Sequence, residues 1–356
     1  MTKKILAWVV LLVLVVSVGG CAASKKEEKG TETKESDSQE VGTKEPVQVD
    51  IPLPAGGNVK AEVVADEELR IAFLSFQNNP FWNAIKEGNL EAGKYLENYN
   101  TQVDYIVMGE ELTSAKVTAA IDAAITKEYD AIVVVPIFDG VEVFTDKAID
   151  AGIAVGNYCA EGPNPGNRMF FYGQNGYAAG QLAGELLQQH TDSVGKVGVI
   201  TGVFGAPIHD ARMNGALDYL KENCPDIEII GPFENKDKGE TAYSQTMDML
   251  TANPELKMVY VTAGGPFGAA KAIQDLGLTG EVGVIAYDHI PDNLDYVKSG
   301  EILGLINQDP FGQGFDTVVI MHNYLTTGKK PESTFIEAAL DVVTPDDVGE
   351  FYPRYK

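Results

Sequence analysis

The densest chemistry in the chain is Ser75-Phe76-Gln77-Asn78-Asn79-Pro80-Phe81-Trp82, where a hydroxyl, three amides and adjacent aromatic rings follow a short apolar run. A flat aromatic stacks on the C–H face of a sugar ring. Further on, Asp139, Tyr158, Glu161, Arg212, Thr262, Asp288 and Asn307-Gln308-Asp309 each close or follow another such run. An Asp with an Arg, or an Asn with a Gln, grips vicinal hydroxyls with two hydrogen bonds each, which is how a polyol is told from water. Taken singly, each of these residues also serves as a cap or a solvated loop residue. Their shared position beyond apolar runs makes them one set: candidate ligand contacts Ser75, Asn79, Phe81, Trp82, Asp139, Tyr158, Glu161, Arg212, Thr262, Asp288 and Gln308.

Other chemistries find no support in the spacing. His190, His209, His289 and His322 are scattered, with no paired metal spacing. Gly202-Val203-Phe204-Gly205 lacks both the dinucleotide fingerprint and a Walker lysine, so no cofactor is expected. Ser75 has no nucleophile-elbow glycines and no evident His partner, and the chain is not read as an enzyme. Cys159 and Cys224 have no Cys-x-x-Cys partner and are expected as two free thiols in separate lobes.

The elements that must position these residues alternate. Runs rich in Val, Ile and aromatics recur at 69–76, 103–108, 131–137, 153–158, 196–201, 227–231, 258–262, 282–287 and 302–307, most of them apolar enough to be buried on both faces. Helix-length segments separate them at 81–99, 115–128, 141–151, 178–190, 211–223, 242–250 and 268–276. Asn79 is suited to the N-cap and Pro80 to the first helical position. Alternation predicts parallel, helix-covered sheets, and so many strands predict two similar, doubly wound α/β lobes. Ligands bind such sheets beyond the carboxyl ends of their strands.

Composition sets the compartment and excludes partners. With 52 Asp plus Glu against 27 Lys plus Arg, a formal charge of −25 repels nucleic acid and anionic lipid, and no basic patch interrupts it. At 356 residues and 44% hydrophobic, the chain can bury a core of about two domains at roughly 150 residues each. Lys3 and Lys4, an apolar stretch from Ile5 to Val18, then Gly19 and Gly20 give the order of an export signal over 1–20. Val18-Gly19-Gly20-Cys21 resembles the bacterial lipobox, which implies Cys21 as the lipidated first residue and a protein held on the outer face of the cell membrane. From 21 to 67, Lys, Glu, Ser, Thr, Gly and several prolines read as a flexible tether, and the folded unit begins near Leu69.

At these residues the chain resembles the extracytoplasmic sugar-binding proteins of ABC importers, the type I class exemplified by ribose-binding protein. The likeness runs from about Leu69 to near the C-terminus. Its pieces are Ser75 through Trp82, Ala211-Arg212-Met213-Asn214-Gly215, Val284 through Asp288 with Pro291-Asp292, and Ile306-Asn307-Gln308-Asp309-Pro310. The resemblance implies two lobes joined by three crossovers near 173–175, 308–310 and 335–337. One lobe would be 68–173 plus 309–336, the other 174–308 plus 337–356. It further implies sugar contacts for the Ser, Asn and aromatics of the first segment and hydroxyl partners in Arg212, Asp288 and Gln308. The partner would be an ABC permease, with the binding protein a monomer; the rival readings are a ligand sensor for a kinase or chemoreceptor and an extracytoplasmic hydrolase. The chain departs from the pattern where ribose binders carry Asp-Arg, having Cys159-Ala160-Glu161, and where Val135 and Thr262 replace Asn. Ribose-type partners are lost, which leaves another sugar, a polyol, an amino sugar or another amine-bearing ligand.

Overall fold

A computed structural model describes residues 49, 51–77, 80–111 and 113–351. The export signal, Cys21 and Asn79 lie outside the described residues. In the first half of the fold, β1 (Leu69–Phe76), α1 (Phe81–Glu97), β2 (Thr101–Gly109), α2 (Ser114–Thr126), β3 (Ala131–Val134), α3 (Glu142–Asp150), β4 (Ala154–Cys159) and β5 (Phe171–Gly173) follow in order. The second half runs α4 (Gly176–Thr191), β6 (Val194–Thr201), α5 (Pro207–Asn223), β7 (Asp226–Glu234), α6 (Gly239–Ala252), β8 (Leu256–Val261), α7 (Pro266–Asp275), β9 (Gly283–Tyr287), α8 (Pro291–Ser299) and β10 (Ile302–Ile306). The chain closes with α9 (Pro310–Thr327), β11 (Phe335–Glu337), β12 (Val342–Val343) and α10 (Val348–Phe351).

Among the described residues these strands form two six-stranded sheets, ordered β11-β5-β4-β3-β1-β2 and β12-β10-β9-β8-β6-β7. The first sheet is parallel throughout, and in the second the edge pair β10–β12 alone is antiparallel. All four residues of β3 and all five of β9 are buried, as expected of strands covered by helices on both faces. The molecule is therefore a pair of doubly wound α/β lobes, each with its own core.

The backbone passes between the sheets at 174–175, at 307–309 and at 338–341. Between the second and third passages, α9 lies on the first sheet, where Phe315, Val318 and Met321 enter the core of β1 and β3. Glu337 still pairs with Gly173, so the last passage starts after the 335–337 position expected for it. The strands β5, β11 and β12 have three residues or fewer, too short to leave a periodic signal.

The tether expected over 21–67 ends earlier than that. Residues 51–66 form a strap against the first lobe. Gly56, at φ +95°, lies over the ring of Phe311, where a Cβ would stand 2.8 Å from Cδ1. Asp316 on α9 then accepts hydrogen bonds from the amides of Asn58 (2.8 Å) and Val59 (2.9 Å), and Tyr95 Oη accepts one from the amide of Ala61 (3.2 Å). The proline and glycine content that reads as flexible here lets the backbone follow an aromatic surface.

Candidate functional site

The first lobe brings two aromatic rings to the carboxyl end of its sheet. Pro80 has helical dihedrals (φ −60°, ψ −25°) immediately before α1, so the helix starts with Phe81 and Trp82 beside the end of β1. The rings meet edge to face, with centroids 5.5 Å apart, and Trp82 meets Phe76 likewise at 5.9 Å. This aromatic packing fixes both rings before any ligand arrives.

The second lobe supplies the charge. On α5, Ile208 and Arg212 are four residues apart and share a face. Gly215 lets α5 approach α4: a Cβ there would stand 2.2 Å from the carbonyl oxygen of Tyr177. Arg212 is thereby buried to 2% exposure with its guanidinium 4.1 Å above the ring of Tyr287. Its Nε donates to Gln174 Oε1 (2.8 Å), Nη1 to the Thr262 carbonyl (3.2 Å) and Nη2 to Gln308 Oε1 (2.7 Å). Gln174 and Gln308 belong to the first two passages between the sheets, so one guanidinium joins the second lobe to both. Gln308 in turn donates through Nε2 to Asp288 Oδ1. Asp288 follows β9 at φ +78°, a left-handed backbone held by Asn293, whose Nδ2 donates to the Asp288 carbonyl (2.9 Å).

These residues line a cleft between the lobes that opens to solvent at its mouth, the concave kind of place where small molecules bind. The first lobe lines it with Phe81, Trp82, Val135, Ile137, Cys159 and Ala160. Opposite stand Ile208, His209, Arg212, Asp237, Asp288 and Gln308, with Ala263 and Gly264 between them. Burial raises the pKa of Asp288, against the opposing pull of Arg212 and the Gln308 hydrogen bond. Burial lowers that of His209. The amide of Val203 donates to His209 Nδ1 (3.1 Å), so the neutral ring carries its proton on Nε2. The Cys159 thiol is pushed up to about 12 by burial, which makes it an unreactive wall. Cys159 and Cys224 are both free.

Of the residues singled out in the sequence, Phe81, Trp82, Arg212, Asp288 and Gln308 come together on this cavity. Asn79 aside, which lies outside the described residues, the others go elsewhere. Ser75 and Tyr158 are fully buried beneath it, Tyr158 Oη donating to the Leu74 carbonyl (3.1 Å) and Ser75 Oγ to that of Phe76 (3.3 Å). Glu161 is taken by Arg168, which donates through Nε (2.9 Å) and Nη2 (2.7 Å). Thr262 bonds Thr201 through its hydroxyl (3.0 Å) and offers only its carbonyl, to Arg212. Asp139 stands exposed in the loop after β3.

Asp237 and His209 were not picked out by sequence. Gly231-Pro232 reads as the end of a strand, yet β7 continues to Glu234 through a bulge; it is an edge strand, where proline is tolerated. Carrying that strand to its true end would have placed Asp237 with the other post-strand acids. His209 lies one helical turn before Arg212, and that spacing was its available signal.

Comparison with known proteins agrees with this architecture. The model of the family described as "Periplasmic binding protein domain" matches residues 71–330. The D-ribose/D-allose-binding protein of Pseudomonas aeruginosa is 24% identical over 313 residues, covering 83% of this chain and 93% of that one. The D-allose-binding periplasmic protein of Escherichia coli is 27% identical over 136 residues, which is 38% of this chain and 43% of that protein. Among solved structures, an ABC transporter solute-binding protein of Agrobacterium vitis with bound D-fucose has a TM-score of 0.72 at 25% identity, covering 80% of this chain and 98% of that one. One from Actinobacillus succinogenes with bound D-allose has a TM-score of 0.71 at 23% identity, over 80% and 100% of the two chains. Two lobes, a cavity between them and a family match over most of the folded residues lead to one conclusion: the chain belongs to the periplasmic binding proteins.

Proposed function

We propose that this protein is the extracytoplasmic, lipid-anchored substrate-binding subunit of an ABC importer, trapping a small sugar or sugar-like molecule between its lobes and releasing it intact to a permease. The observation that carries this reading is the division of the cavity wall: aromatic rings come from one lobe, and Arg212, Asp237 and Asp288 from the other. A ligand touching both walls favours the closed arrangement over the open one, and that difference in affinity is what drives closure. A relative named for ribose and allose and solved proteins holding D-allose and D-fucose support a hydroxylated ligand, and the ABC transporter solute-binding proteins among them support an importer. The apolar run ending at Cys21 supports export and lipidation.

Ring stacking on Trp82 and charge-assisted hydrogen bonds to the second lobe divide the work of recognition. Thermal shift against pentoses, hexoses, polyols, amino sugars and nucleosides tests the reading, since a ligand at 100 times its Kd adds about 2.7 kcal/mol to the native state. The bound compound should be recovered unchanged after prolonged incubation. Its conversion to product would replace the importer reading with a hydrolase.

A further inference from the structure

The cavity wall has a charge imbalance that bears on which sugar-like molecule it takes. Arg212 is the one cation among the described lining residues, and its Nε, Nη1 and Nη2 are directed at Gln174, Thr262 and Gln308. It faces two carboxylates. Asp288 accepts from Gln308 through Oδ1, and Asp237 accepts from the amide of Gly264 through Oδ1 (3.0 Å). The Oδ2 atom of each has no hydrogen-bond partner among the described residues, and neither Asp forms an ion pair there. His209 is neutral and supplies only an Nε2–H donor. At the mouth of the cleft, Lys238 is offset by Glu240.

Closing the lobes over a neutral molecule would seal one uncompensated negative charge in a dry cavity, where unpaired charge is most costly. An ammonium group removes that cost. The opposite wall offers Phe81 and Trp82, whose ring faces attract cations, and no charged side chain among its described residues. We propose that the natural ligand carries a protonated amine, bound between the open carboxylate oxygens of Asp237 and Asp288, with a neighbouring hydroxyl accepting from His209 Nε2. It is an amino sugar or an amino polyol. This inference rests on the proposed binding function and narrows its ligand class.

Matched pairs test it by calorimetry on the full chain in detergent: D-glucosamine with D-glucose, D-galactosamine with D-galactose and D-mannosamine with D-mannose, alongside neutral pentoses and polyols. In the pair that binds best, the amine should bind about tenfold tighter or more, the margin of a charge-assisted over a neutral hydrogen bond. Asp237→Asn keeps the shape and the Gly264 hydrogen bond, and should erase that margin, read as the ratio of amine to neutral affinity within each variant. A neutral compound that binds as tightly as any amine overturns the inference and leaves the binding function standing. An undiminished margin in Asp237→Asn overturns the assignment to that carboxylate. If no hydroxylated compound of either kind binds, the binding function fails, and the inference with it.

Discussion

Asp288 is held in a form that the empty protein would rather not have. Burial raises its pKa above the ordinary carboxylate value of 3.8, so its charge opposes folding at neutral pH. The sign follows from linkage: with the native pKa above the unfolded one, its favourable contribution is complete below pH 3.8 and is lost as pH rises through the raised value. Asp288→Asn should therefore raise the melting temperature of the ligand-free protein at pH 7, and asparagine tolerates the left-handed backbone at this position. The same change removes an acceptor from the cleft and should weaken ligand binding by about 1.5 kcal/mol or more. A lower melting temperature together with unchanged affinity would contradict both halves. Sequence placed Asp288 and Gln308 at strand ends, which are legible as the places where apolar runs stop, and Arg212 on the helix that follows one. It did not locate direction. Ser75, Tyr158 and Thr262 also end strands, yet their hydroxyls turn back to backbone or neighbouring side chains, and only the three-dimensional pleat decides which face a residue takes.

At the scale of elements, the strap and α9 determine how the first lobe is tied to the passages between the sheets. Asp316 accepts from the amides of Asn58 and Val59 and from the hydroxyl of Tyr172 (3.2 Å), while Tyr172 also donates to Asp309 (2.8 Å) at the second passage. One carboxylate thus serves the segment leading towards Cys21 and a tyrosine on β5. Asp316→Ala leaves two part-buried strap amides and a buried hydroxyl without this acceptor and should cost about 2 kcal/mol of stability, measured by denaturant unfolding. Tyr172→Phe should cost less, because it leaves both strap amides paired. Equal losses would mean that the strap contributes nothing to the folded state. The long helices and strands were readable from composition because their apolar periods repeat over several turns or residues. The strap was not. Its order comes from aromatic rings on α1 and α9, more than thirty residues away or further along the chain, and nothing local in Pro-Leu-Pro-Ala-Gly-Gly announces such a surface.

For the whole molecule, folding is linked to protons through its histidines. All four have pKa values lowered by burial, His289 to about 4, so each is neutral in the native state where an unfolded imidazole would accept a proton. Here the sign runs the other way from Asp288. The native pKa lies below the unfolded 6.5, so the contribution is complete above pH 6.5 and is lost as pH falls towards the native value. Asp288 and Asp309, both raised, oppose this loss near its lower end. His289 packs between the lobe core and β10, its Nε2–H donating to the Leu305 carbonyl (2.7 Å), and its shift corresponds to about 2 kcal/mol of stability lost between pH 7 and pH 5. Denaturant unfolding at the two pH values should show that loss in the parent protein and a loss smaller by about that amount in His289→Gln. Comparing the pH dependence within each protein, rather than their absolute stabilities, separates proton linkage from the packing cost of the substitution. An identical loss in both proteins would place the acid sensitivity elsewhere, with the imidazoles of His190, His209 and His322 next to be substituted.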